Sequence, residues 1–79
     1  MKKNEFYAEL LKACELTGTN LDDTTILKDI EGYDSLAIMT MIAFIDDNFR
    51  VQLTGKEFDE LTTFYSLVEK IGIEKFQND

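Results

Sequence analysis

Histidine, proline and tryptophan are absent from this 79-residue chain, and cysteine occurs once. Without histidine there is no Ser-His-Asp or Cys-His catalysis, and the commonest protein metal ligand is missing. A lone cysteine, Cys14, cannot build an internal disulfide framework and suits a reducing cytosol. Basic residues are scarce as well: 8 Lys+Arg stand against 16 Asp+Glu, a net charge of −8. That sign is wrong for gripping nucleic-acid phosphates and equally wrong for anionic membranes. The longest near-apolar run, residues 36–45, is broken by Thr40 and falls short of the roughly 18 residues a membrane span needs. Residues 1–5 are followed by no apolar stretch of the signal-peptide kind. An acidic chain with no base of its own reads as something other proteins grip rather than as an enzyme.

What is present is a folded helical chain. Hydrophobic residues make up 44%, enough for one modest core, since a chain this short buries only about 60–65% of the surface its unfolded form exposes. The chain has no repeat, linker or low-complexity tract, and Gly18, Gly32, Gly55 and Gly72 fall between or at the ends of periodic segments. Tyr7, Leu10, Leu11 and Cys14 recur at helical spacing and predict a first helix over about 4–16, with Asn4 as N-cap and Gly18 as terminator. Residues 17–34 lack sustained periodicity and form a long first loop with Leu21, Ile26, Leu27 and Ile30 as scattered anchors. Asp34 is a good N-cap for a second helix over 35–49. Thr54 and Glu57 form a capping box opening a short helix over 55–61, and Thr63 caps a last helix over 63–72. Residues 73–79 read as a partly frayed tail. The expected architecture is all-α: a small four-helix bundle of three main helices and a short third one, in a single domain over 1–79.

The second helix is too apolar for its place. A core stripe of Ile38, Met41, Ile42, Ile45 and Phe49 accounts for the burial that a small bundle needs. Leu36, Met39, Ala43 and Phe44 are left over. The long loop could cover Phe44, while Leu36, Met39 and Ala43 read as a partner-facing patch, with Asp46 and Asp47 adding charge beside it. Residues 22–49 hold seven acids against Lys28 alone, so most of the acidic excess brackets Ser35.

Asp34-Ser35-Leu36, opening an apolar helix in an acidic chain of this length, resembles the acyl carrier protein family. The likeness continues to Phe49, fourteen positions after Ser35, to Leu53 in the second loop, to Leu61-Thr62-Thr63 and to Phe64, Leu67, Val68 and Ile71, and so covers about residues 21–72. It implies a carrier with no catalytic residue of its own. Ser35 is then esterified with 4′-phosphopantetheine by a separate phosphopantetheinyl transferase, and the thiol of that arm holds acyl or aminoacyl groups as thioesters. The partners implied are enzymes of fatty-acid, lipid or specialised-metabolite biosynthesis with basic docking patches, meeting a cytoplasmic, monomeric phosphoprotein. Serine is needed because its hydroxyl accepts the phosphoryl group, and a helix N-terminus suits the negative charge so added. The housekeeping members carry acids where Ala37 and Thr40 stand here and methionine where Ala43 stands, and Tyr33 resembles specialised carriers with Trp-Asp-Ser-Leu. A dedicated pathway is the expectation.

Other constellations are weaker. The acids around Asp22 and Asp29 do not follow the EF-hand spacing, and a solvated loop explains them. Cys14 reads as a buried inert thiol. A competing reading keeps the helices but not the arm: an interaction module that binds a basic protein through Leu36, Met39 and Ala43. A hydrolase built on Ser35 fails for want of a base.

Overall fold

In the computed structural model, which describes residues 1–16 and 22–77, four helices follow one another: α1 (Lys3–Ala13), α2 (Ser35–Phe49), α3 (Gly55–Asp59) and α4 (Phe64–Ile71). Single 3₁₀ turns lie at Leu27–Asp29 and Ile73–Lys75, and the described residues form no sheet, only two isolated bridges. The chain is therefore an all-α bundle. No described helix is long and apolar enough to cross a membrane.

α1 is capped two residues earlier than expected. Lys2 takes the capping position, and its amide donates to the Glu5 carboxylate at 3.1 Å, while Asn4 lies inside the first turn. The helix also ends early. Cys14 is its C-cap, and Glu15 adopts the left-handed region at φ 58°. The Glu15 amide then donates to Lys12 (3.0 Å) and the Leu16 amide to Leu11 (2.9 Å), which closes a Schellman turn without glycine. Gly18, the expected terminator, lies outside the described residues. Phe6, Tyr7, Leu10 and Leu11 face the core.

α2 runs from its Asp34 cap to Phe49 and stops where Arg50 turns left-handed at φ 58°. Met41 and Ile45 are fully buried, and Ile38, Ile42 and Phe49 pack at the core edge. Ala37 is buried too, outside the expected stripe. Phe44 packs against α1, with its ring centroid 6.1 Å from that of Phe6.

The described part of the first loop is fastened at several points. Leu27 is fully buried, whereas Ile26, an expected anchor, is 46% exposed. The Leu27 amide donates to Thr62, and the Phe64 and Tyr65 amides donate to the carbonyls of Thr25 and Asp23. The loop backbone thus accepts the first-turn amides of α4, while Thr63 accepts the third from Ser66 at 3.1 Å. The Asp23 side chain ties the loop to α1: it accepts from the Tyr7 hydroxyl at 2.5 Å and from Lys3 at 3.0 Å. Asp22 serves its own turn, accepting from the Thr24 amide.

α3 keeps its Thr54–Glu57 box but is two residues shorter than expected, and Leu61 is buried just beyond it. After α4, residues 73–77 of the tail pack against the core. Gly72 turns it at φ 122°, Phe76 buries against Phe6 and Phe49 (centroids at 5.2 and 4.9 Å), and the Gln77 amide donates to Met1. Residues 78 and 79 lie outside the described part.

Candidate functional site

Asp34 decides where α2 starts. Its backbone is extended, and its carboxylate accepts from the Ala37 amide at 2.9 Å. Its carbonyl accepts the first helical bond, from Ile38 at 3.0 Å. Ser35 is the first helical residue and is exposed. The amides of Ser35 and Leu36 find no acceptor among the described residues. An exposed hydroxyl thus sits beside two unclaimed donors at the positive end of a fifteen-residue helix. That combination favours an anionic group.

The residues around it separate by helical angle. At about 100° per residue, Leu36, Ala43 and Asp47 form one stripe opposite the core, with Met39 and Asp46 along its edge. Leu36 and Met39 are 71% and 66% exposed, Ala43 and Asp47 are exposed, and Asp46 is half-buried. The structure therefore gathers Asp34, Ser35, Leu36 and Met39 at the mouth of the site and sets Ala43, Asp46 and Asp47 further along the same helix.

Two clefts flank Ser35. One, about 290 Å³, lies between α2 and α3; Ile38, Met39 and Ile42 form its wall, and Gly55 and Asp59 its other side. A Cβ built on Gly55 would meet nothing within 4 Å. The other, about 330 Å³, lies between the end of α1 and the start of α2, with Glu15, Leu16, Asp34 and Leu36 among its lining. Cys14 forms part of its wall, with its thiol 3.5 Å from the Ala37 carbonyl. Burial, and then Asp34, push this thiol's pKa up, so it stays a protonated, weakly reactive group. Burial, and then Asp59, likewise push up the pKa of the Tyr33 hydroxyl, and the Tyr33 ring packs at the core edge one residue before the Asp34 cap. Sequence spacing showed the cap, the serine and the stripe. Neither cleft was legible, because Glu15, Gly55 and Asp59 reach Ser35 only through packing between elements.

A family model described as a phosphopantetheine attachment site matches residues 7–71. The chain belongs to that family. No curated protein and no solved structure matches it. As a member of the phosphopantetheine attachment family, the chain is a carrier rather than a catalytic domain, and its cofactor is a covalent phosphopantetheine group. That sets aside the interaction module without a prosthetic group. It also fits a chain with no histidine: in such carriers the arm supplies the reactive thiol, and acid–base groups belong to the enzymes that modify it and handle its acyl groups.

Proposed function

We propose that Ser35 is the attachment residue and that the chain carries acyl or aminoacyl groups as thioesters between enzymes of a fatty-acid, lipid or specialised biosynthetic pathway. The observation that carries this reading is the exposed Ser35 hydroxyl beside the two unclaimed amides at the start of α2. In the attachment step the Ser35 oxygen forms a bond to the phosphorus of coenzyme A that carries the pantetheine. The bond from that phosphorus to the 3′,5′-ADP leaving group breaks, and the serine proton goes to a base on the transferase. The phosphodiester that results bears a negative charge where the helix end stabilises one.

Two features support the partner reading. Leu36, Met39 and Ala43 present apolar surface along α2, and Asp46 and Asp47 follow on the same helix. An apolar patch with acids beside it suits basic partners that meet the carrier briefly: charge speeds encounter, and the small contact lets go. The short side chains of Ala37 and Thr40, where housekeeping carriers place acids, favour a dedicated pathway over general fatty-acid synthesis. The protein acts as a cytoplasmic monomer in this reading.

Intact mass after incubation with coenzyme A and a phosphopantetheinyl transferase tests the assignment. One phosphopantetheine is expected on the wild-type chain and none on Ser35→Ala. An equal gain in Ser35→Ala removes Ser35 from the role.

A further inference from the structure

The cleft between α2 and α3 has two features that the fold itself does not use. The first is Gly55, the opening residue of α3. Its backbone is not left-handed, and a Cβ added there would meet nothing within 4 Å. Neither conformation nor packing therefore requires glycine, a weaker helix former than alanine. What the missing side chain leaves is open space across the cleft from Ile38, Met39 and Ile42. The second feature is Asp59. Four residues on, it shares a face of α3 with Gly55 and lines the same cleft. Its carboxylate has no cation or hydrogen-bond partner among the described residues, whose ion pairs, Lys3–Asp23 and Lys70–Glu57, use other acids. Its charge is felt toward the serine: after burial, it is the next cause of the raised pKa of Tyr33, two residues before Ser35. An alkyl chain laid along the apolar wall would cover this carboxylate and strip water from it without replacing the lost contacts. A chain that bears an ammonium would cover the same wall and bring the counter-charge.

We infer that the α2–α3 cleft selects an arm-borne acyl group that carries an amine, with its carbons against Ile38, Met39 and Ile42 in the space left at Gly55 and its ammonium on the Asp59 carboxylate. The inference rests on Ser35 being the attachment residue, and it names the class of cargo for that site. The arm is flexible and longer than the cleft, so its end folds back beside its own attachment point, where about 290 Å³ admits a short chain.

Thermal melts of the full chain loaded with matched cargoes test the inference. Hexanoyl-coenzyme A and 6-aminohexanoyl-coenzyme A, with a broad-specificity phosphopantetheinyl transferase, supply arms that differ only in the terminal amine, which is charged at about pH 6.5. The aminohexanoyl form should melt about 2–4 °C above the hexanoyl form in low salt, the effect of one partly exposed ion pair in a chain of this size. The difference should fall below about 1 °C in Asp59→Asn and in Gly55→Val, and should shrink in about 0.5 M sodium chloride. Glu69→Gln, the same charge change on an exposed position of α4, should keep it. The unmodified variants should melt within a few degrees of wild type; if Gly55→Val does not fold, Asp59→Asn against Glu69→Gln decides. Equal melting temperatures of the two loaded forms, or a difference that survives Asp59→Asn or Gly55→Val, overturn the cleft assignment alone. A wild-type chain that gains no arm on Ser35 overturns both this inference and the attachment reading.

Discussion

Two aspartates show how differently one residue type serves this chain. Asp34 is a cap. Its carboxylate takes the Ala37 amide at 2.9 Å, and Asp34→Ala should cost about 1 kcal/mol in urea unfolding, with Asp34→Ser recovering most of it. Asp23 is a tie between elements. The Tyr7 hydroxyl first, and the Lys3 ammonium after it, hold its carboxyl below the usual carboxylate range. An acid whose pKa is depressed by folding stabilises above its unfolded value, about 3.9, and loses that contribution as pH falls through the folded value. The difference in melting temperature between wild type and Asp23→Asn should therefore be widest near neutral pH and shrink below about pH 4. A constant difference down to pH 3 would show that the carboxylate charge plays no part. Neither role is equally visible in the sequence. Asp34 stands directly before an apolar helix, where a cap is expected, whereas the partner of Asp23 lies sixteen residues away on α1.

At the scale of elements, helix starts that carry local chemistry were readable, and the two ends of α1 were not. Thr54 with Glu57, Thr63 and Asp34 all mark starts through side-chain caps that act within three residues. The end of α1 carries no such mark, because Glu15 occupies a left-handed position that glycine ordinarily fills; α2 stops at Phe49, where the sequence places its end, although Arg50 takes the same conformation. The C-terminal turn was not legible, for a different reason. Residues 73–77 have no periodicity, and a single aromatic, Phe76, holds them by filling the space between Phe6 and Phe49. Phe76→Ala should cost about 3 kcal/mol, a large fraction of the stability of a chain this small. Urea unfolding measures it, and a loss under about 1 kcal/mol would mean that the turn only rests on the core.

For the molecule as a whole, charge is the dominant long-range fact. With sixteen acids against eight bases, the acidic excess repels itself in the folded chain, and the two ion pairs of the described residues are both partly exposed. Added salt should screen repulsion more than it weakens those pairs, so the melting temperature should rise between about 20 and 200 mM sodium chloride. A falling melting temperature would assign the acidic excess a stabilising role. Shape has a consequence of its own. The last turn of α1 lies against the start of α2 through Cys14 and Ala37, while its first turn lies beside Gln77, whose amide donates to Met1. Eleven helical residues span about 16 Å, so Met1 and Gln77 lie together at the pole away from Ser35. Joining them with a short peptide and opening the chain elsewhere, or grafting the whole unit into a surface turn of a host protein, leaves the serine pole untouched. A bead, a tag or a neighbouring domain attached at either end holds this carrier like a lamp on its base, with the working end outward.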